Sequence, residues 1–90
     1  MAYEWDTEKA KSNLAKHRVS FDEASTVFGD PIGKIVSDPR HSITEQRYVL
    51  LGYSERQRIL AVMFAERGEQ IRIISARCAT RHERRQYEEE

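Results

Sequence analysis

The sequence predicts a single α+β domain over residues 1–90, with two N-terminal helices, a four-stranded antiparallel sheet and a C-terminal helix. Three observations support this. Two helix-capping signals precede helical patterns near the N-terminus. Four runs rich in apolar residues follow, separated by short polar connections. A further capping box follows the last run. Short connections between successive strands favour antiparallel pairing, so we expect a meander with the helices against one of its faces.

The two N-terminal helices are predicted from their caps. Asp6 is a good N-cap for a helix over residues 7–17, and cations in its last turn suit the negative end of the helix dipole. The segment Ser20-Phe21-Asp22-Glu23 is a capping box that opens a second helix through about Phe28. Before the first helix, Tyr3-Glu4-Trp5 alternates apolar and polar residues, which is compatible with a short edge strand.

The four strands are predicted from apolar and β-branched residues. The third run is almost continuously apolar, which is typical of a strand covered on both faces and therefore central. A glycine-containing turn at residues 66–69 joins it to the fourth run. The predicted strands are Ile32–Ser37, Arg47–Tyr53, Arg58–Ala65 and Gln70–Arg77.

The last strand and the helix after it form a basic unit over residues 70–87. Thr80 and Glu83 form the capping box of this helix. Between residues 66 and 87 there are six arginines and three acids, although the whole chain has a formal net charge of zero. Zero net charge argues against a protein that coats nucleic acid by bulk charge, because non-specific affinity comes from phosphate neutralisation. A local anion site remains compatible with it.

Several classes of protein are disfavoured by the sequence. No apolar run is long enough to span a membrane, and residues 1–6 lack the apolar core of a secretory signal, so we expect a cytoplasmic protein without a membrane partner. Cys78 is the only cysteine, which rules out an internal disulfide. Phosphate-loop, dinucleotide and hydrolase motifs are absent. The three histidines lack metal-ligand spacing, so we expect no metal and no cofactor.

The remaining polar residues are those that RNA cleavage by internal 2′-hydroxyl attack requires. A base takes the hydroxyl proton, cations stabilise the charge on phosphorus, and an acid protonates the leaving 5′-oxygen. For proton transfer the candidates are His41, Glu45 and Tyr87, and for charge stabilisation they are Arg47, Arg72 and Arg77. Further cations could extend an RNA-binding surface, namely Lys9, Lys16, Arg58, Arg81 and Arg84.

Each candidate also has a structural interpretation. Glu45 and Arg47 are two residues apart and could form an exposed ion pair of little energetic value. His41 could be a solvated loop residue, and Tyr87 could pack its ring on the sheet. Arg84 fits a solvated helix face. The rival hypothesis for the whole protein is therefore a non-catalytic module that binds protein or RNA through residues 70–87.

The residues named above, taken in their order along the chain, resemble the BrnT family of toxins from type II toxin–antitoxin systems. The resemblance rests on blocks along the chain: Tyr3-Glu4-Trp5-Asp6, Val19-Ser20-Phe21, Asp38-x-x-His41-Ser42-x-x-Glu45-x-Arg47, Gly52-x-Ser54, and Ile71-Arg72-Ile73-Ile74-Ser75-Ala76-Arg77 with Thr80-x-x-Glu83-Arg84-x-x-Tyr87. It implies a RelE-like fold and a ribonuclease that arrests translation. It also implies neutralisation by a ribbon-helix-helix antitoxin of the BrnA type, which would itself contact operator DNA.

Carried onto this chain, the resemblance singles out His41, Glu45, Arg47, Arg72, Arg77, Glu83, Arg84 and Tyr87. The sequence departs from the family pattern at Gln57, where a glycine often precedes the arginine. This departure leaves open the turn type and the direction of Arg58.

Overall fold

The computed structural model describes residues 2–37 and 46–89, and within them the predicted helices form where capping signals begin them. The elements in chain order are β1 (Ala2–Glu4), α1 (Thr7–His17), α2 (Phe21–Thr26), a 3-10 turn (Val27–Gly29), β2 (Lys34–Ser37), β3 (Arg47–Tyr53), β4 (Ile59–Arg67), β5 (Gln70–Cys78) and α3 (Arg81–Glu88). Asp6 caps α1 by accepting from the N–H groups of Glu8 and Lys9. Ser20 caps α2, and the predicted capping box of α3 is present in full.

The sheet has five strands in the order β1-β5-β4-β3-β2. Strands β2 to β5 pair antiparallel in sequence order, as predicted. The prediction of a four-stranded, wholly antiparallel sheet was wrong, because β1 adds a fifth strand parallel to β5. Its register places Ala2 opposite Gln70 and Glu4 opposite Arg72. A parallel pair needs a long crossover, and here α1, α2 and three strands lie between the two partners, so no local pattern marks the pairing.

The main core lies between one face of the sheet and the two N-terminal helices. Phe21, Ala24 and Val27 pack against side chains from β3, β4 and β5. Phe28 stacks edge-on against Phe64, with ring centroids 5.0 Å apart. This face holds every second residue of β4, namely Leu60, Val62 and Phe64.

Helix α3 covers part of the opposite face. Tyr87 packs there with Leu51 and Ala61 in a second, smaller cluster, bordered by Val49 and Ile59. The expectation that all helices lie against one face was therefore wrong. The near-continuous apolar run of β4 had indicated coverage on both faces, and that prediction is confirmed by these two clusters.

Asn13 attaches α1 to the exposed edge of β5 beyond the short β1. Its amide nitrogen donates to the carbonyl of Ala76 at 2.8 Å, and its amide oxygen accepts from the N–H of the same residue at 3.1 Å. The buried side-chain amide thus pairs with the edge of β5 as the backbone of a neighbouring strand would. None of the helices in the described ranges could cross a membrane.

Candidate active site

A row of four side chains crosses the sheet on the face that carries α3. Arg47 of β3 lies opposite Ala65 of β4, Ala65 lies opposite Arg72 of β5, and Arg72 lies opposite Glu4 of β1. Residues paired in this way project from the same face. Neighbouring strands are ~4.8 Å apart, so the backbones at Arg47 and Arg72 are separated by roughly 10 Å. We call Glu4, Ala65, Arg47 and Arg72 the arginine row.

Glu4 and Arg72 form the ion pair of this row. Arg72 Nη1 lies 3.1 Å from Glu4 Oε2, and Arg67 Nη1 lies 3.9 Å from the same oxygen. The Arg72 and Glu4 side chains are 29% and 31% exposed. A guanidinium has five N–H donors, so donors beyond the bond to Glu4 can serve a phosphate. Glu4 is an acid that the sequence interpretation missed: its alternation with Tyr3 and Trp5 was visible, but its position beside Arg72 depends on the pairing of β1.

A β-bulge brings Arg77 to the same face as Arg72. The two residues are five apart, and in a regular strand an odd separation places side chains on opposite faces. Phe64 pairs with Ile73 but Met63 pairs with Ser75, so one residue of β5 is extra at this point. Arg77 then lies opposite Ala61, which shares the face of Ala65. Arg72 and Arg77 of β5 therefore project from one face of the sheet.

Arg77 is bound in a bidentate ion pair with Glu83 of α3. The Nη1–Oε1 and Nη2–Oε2 distances are 2.7 Å and 3.1 Å, and Oε1 also accepts the N–H of Thr80. The bond from Arg77 lowers the pKa of Glu83 despite its burial, and the same bond raises the pKa of Arg77. Arg77 therefore joins the end of β5 to the start of α3, and its side chain remains 43% exposed.

Tyr87 lies away from the arginine row, in contact with the turn before β2. Its hydroxyl donates to Asp30 Oδ2 at 2.6 Å, and the residue is only 5% exposed. Burial and the bond to Asp30 raise the pKa of Tyr87 to about 12. A phenol with this pKa stays protonated at neutral pH. The structure gives Tyr87 the packing role that the sequence had offered as its alternative.

Arg58 is directed inward, to the buried carboxylate of Glu23. Its Nε lies 3.0 Å from Glu23 Oε2 and its Nη2 lies 2.5 Å from Oε1. Nη2 also donates to the carbonyl of Arg18 at the end of α1. Arg58 therefore connects both N-terminal helices to the start of β4. The preceding Gln57 has a φ of 63°, which is the left-handed conformation that the family glycine would adopt freely.

The other predicted RNA-binding cations are exposed but divided between two regions. Lys9 and Lys16 of α1 border the edge of β5. Arg81 and Arg84 lie on α3, where Arg84 lines a shallow cavity with Arg58, Tyr53 and Cys78. The predicted proton-transfer residues His41 and Glu45 lie outside the described residues. Among the described residues, no group of three or more His, Cys, Asp or Glu side chains is arranged to hold a metal ion.

A larger apolar cavity of about 470 Å³ lies elsewhere, on the face that packs against the N-terminal helices. Its lining includes the rings of Tyr3, Phe28, Tyr48 and Phe64, with Glu66 as its charged residue. An apolar lining with an acidic side chain does not suit a phosphate. The arginine row, and not this cavity, is therefore the candidate site for an anionic substrate.

Comparisons with known proteins concern the family and the fold. A family model described as "Ribonuclease toxin, BrnT, of type II toxin-antitoxin system" matches residues 5–83. The fold is similar to the crystal structure of the ribonuclease toxin BrnT from Brucella abortus, with a TM-score of 0.69 and 25% sequence identity over 90% of this chain and 100% of that chain. Among curated proteins, none matches with significance.

Proposed function

This chain belongs to the BrnT family of ribonuclease toxins of type II toxin–antitoxin systems, and from that premise we propose that it is an endoribonuclease that cuts RNA without a metal ion by 2′-hydroxyl attack. The attacking oxygen forms a bond to the adjacent phosphorus as the bond to the 5′-oxygen breaks, leaving a 2′,3′-cyclic phosphate and a 5′-hydroxyl. The observation that carries the proposal is the cross-strand row in which Arg47 and Arg72 flank the small Ala65.

In this proposal the arginines bind the phosphate and stabilise its charge. The charge on phosphorus rises in the transition state, and fixed guanidinium groups stabilise it because their N–H donors are already oriented. The strands hold the two backbones roughly 10 Å apart, so the guanidinium groups can approach one phosphate from two sides. Arg77 adds positive charge on the same face while Glu83 fixes its orientation.

Proton transfer is assigned to one of two carboxylates or to an imidazole. Glu4 lies beside Arg72, and Glu45 precedes Arg47 by two residues in the chain. His41 is the third candidate. Tyr87 is left out, because its hydroxyl is engaged by Asp30 and its pKa is raised to about 12. Arg58 is likewise assigned to the fold and not to RNA, since its Nε and Nη2 donate to Glu23 and Arg18.

A cognate antitoxin is part of the type II system to which this family belongs. We propose that this antitoxin is a ribbon-helix-helix protein and that operator DNA is reached only through it. We further propose that RNA cleavage takes place in the cytoplasm and arrests translation. Co-expression with the neighbouring reading frame tests the partner: a stable complex whose formation abolishes RNA cleavage supports the proposal, and a freely active toxin in its presence contradicts it.

The cleavage assay uses purified protein, a single-stranded RNA and EDTA, with and without ribosomes. Wild type should cut the RNA, and Arg72→Ala and Arg47→Ala should each slow cleavage by roughly 10²–10³-fold. Arg56→Ala is the matched control, because Arg56 is an exposed arginine in the turn at the opposite end of the β3–β4 hairpin. Absence of cleavage by wild type in every condition would favour the non-catalytic binding module, and equal losses in all three variants would remove the arginine row from the mechanism.

A further inference from the structure

We propose that the RNA strand continues from the arginine row across the edge of β5 and lies in a groove between α1 and β5, where α1 contacts its phosphates. This inference rests on the proposed ribonuclease function and adds the path of the substrate. The groove has a volume of about 190 Å³. Its lining residues are Lys9, Ser12, Asn13, Lys16, His17, Ile74 and Ser75.

The β-bulge connects the groove to the candidate active site. Ser75 lies opposite Met63, so it projects from the same face as Arg72 and Arg77 and also lines the groove. β1 pairs with β5 only at residues 70–72, and the edge of β5 beyond them borders α1. An RNA strand bound along the face that carries the arginine row can therefore pass over this edge without crossing another β-strand.

The groove has the charge and the polar groups that suit an RNA backbone. Lys9 and Lys16 are exposed, and the lining residues given above include no acid and no Phe, Tyr or Trp, the imidazole of His17 being their one aromatic ring. The two lysines are seven positions apart in α1, which is a rise of ~10 Å along the helix axis. Because lysine and serine side chains outnumber the single imidazole, we expect mainly contacts to phosphate and sugar, which are independent of base sequence.

The position of this groove is fixed before RNA binds. The buried amide of Asn13 holds α1 against Ala76 by two hydrogen bonds and donates to the carbonyl of Val19 at 2.9 Å. Because α1 is attached to the strand that carries the arginines, the backbones at Lys9 and Lys16 are held relative to the backbone at Arg72. A preorganised surface loses little conformational freedom on binding.

Lys11 provides a matched control on the same helix. It lies 3.6 Å from Glu8, its side chain is 73% exposed, and it lines a different cavity with Trp5 and Leu14. Lys9→Gln, Lys16→Gln and Lys11→Gln each remove one positive charge from α1. All three lysines are exposed, so all three variants should fold, and their melting curves are compared first.

The test measures binding of non-cleavable, 2′-O-methylated RNA of roughly 4 and roughly 12 nucleotides by fluorescence anisotropy at several salt concentrations. For the longer RNA, Lys9→Gln and Lys16→Gln should each lower the slope of log K against log salt by about 0.7, while the short RNA and Lys11→Gln should show no change. Equal slopes for all three variants would overturn the proposed path and leave the cleavage function intact. If wild type binds neither RNA, the path and the proposed function both fail.

Discussion

Tyr87 of α3 donates its hydroxyl to Asp30 Oδ2 at 2.6 Å, and this bond attaches the C-terminal helix to the turn that precedes β2. Asp30 also accepts the N–H of Tyr53 at 2.8 Å and that of Ile32 at 3.1 Å. Burial acts to raise the pKa of Asp30, but these three hydrogen bonds outweigh it and the pKa is lowered. One carboxylate thus holds three segments of the chain together.

Tyr87→Phe should lower the free energy of unfolding by about 1–3 kcal/mol, because it removes a hydrogen bond to a charged group in a buried site. The pKa of Tyr87 is raised from 10.0 to about 12, so its contribution is complete below pH ~10 and is lost as pH rises toward 12. Urea denaturation across this range should show wild type losing stability that the variant no longer has. RNA cleavage at neutral pH should stay near the wild-type rate, and a loss of cleavage without a loss of stability would return Tyr87 to the mechanism.

The buried carboxylate of Glu23 yields a prediction at acid pH. The bond from Arg58 lowers the pKa of Glu23, with a smaller contribution from the hydroxyl of Ser54 at 2.7 Å. A lowered carboxyl pKa stabilises the fold above the unfolded-state value and loses this contribution as pH falls through the folded-state value. Glu23→Gln should therefore cost about 2–3 kcal/mol at pH 7, since it leaves Arg58 without its anion, and less below pH ~4.

Glu83→Gln is the variant whose loss of stability is compared with that of Glu23→Gln. Its ion pair with Arg77 is more exposed, so we expect a loss of about 1 kcal/mol or less at pH 7. Thermal and urea denaturation curves at pH 7 and at acid pH give the free energy of unfolding of both variants. A larger loss for Glu83→Gln than for Glu23→Gln would contradict the ranking by burial.

Glu4→Gln tests how the arginine row meets its substrate. Glu4 places a negative charge beside Arg72, where a phosphate would bind. Removing a like charge from near the phosphate should tighten binding of non-cleavable RNA by about 1 kcal/mol, close to fivefold. Glu66→Gln is the charge-matched control, because Glu66 lines the apolar cavity on the opposite face.

The value of kcat, measured beside the affinity for non-cleavable RNA, then separates two roles of Glu4. If Glu4 only orients Arg72, the variant's kcat should fall by far less than that of Arg72→Ala. If it transfers a proton, kcat should fall by roughly 10²-fold or more. Weaker RNA binding by Glu4→Gln than by Glu66→Gln would contradict the electrostatic argument.

Gln57→Gly should stabilise the protein by up to about 1 kcal/mol. Gln57 has a φ of 63°, and a residue with a Cβ is strained there by about 1–2 kcal/mol, partly offset by the greater freedom of glycine in the unfolded chain. Chemical denaturation gives the difference directly. Gln57→Ala is the control, because it shortens the side chain but keeps the strain, and equal effects of glycine and alanine would show that the backbone conformation is not the cause.

The local elements were predictable because their causes lie within a few residues. Asp6, Ser20 and Thr80 begin helices through bonds to N–H groups two or three residues on, and the strands from β2 to β5 follow one another through short connections. The alternation of Tyr3-Glu4-Trp5 was compatible with a short edge strand, but its pairing could not be assigned in this way, since its partner β5 is more than sixty residues further along the chain.

The candidate site could likewise be predicted only where the cause lies within a few residues of the chain. Arg72 alternates with Ile71 and Ile73 in the sequence, and it lies on the face opposite the main core. Parity could not assign the direction of Arg77, because the bulge between Ile73 and Ser75 changes the count and no local signal marks its position. Arg58 likewise had several possible directions until the fold placed Glu23 beside it.

The sequence by itself determined the helix starts, the antiparallel order of strands β2 to β5, the excess of arginine in residues 70–87 and the resemblance to the BrnT family. Only the tertiary structure decided which charges meet. It paired Arg72 with Glu4, Arg77 with Glu83 and Arg58 with Glu23. The physical reason is range: capping and alternation act between near neighbours in the chain, whereas the ion pairs that divide these arginines between the fold and the proposed RNA site depend on sheet register, a bulge and the packing of helices.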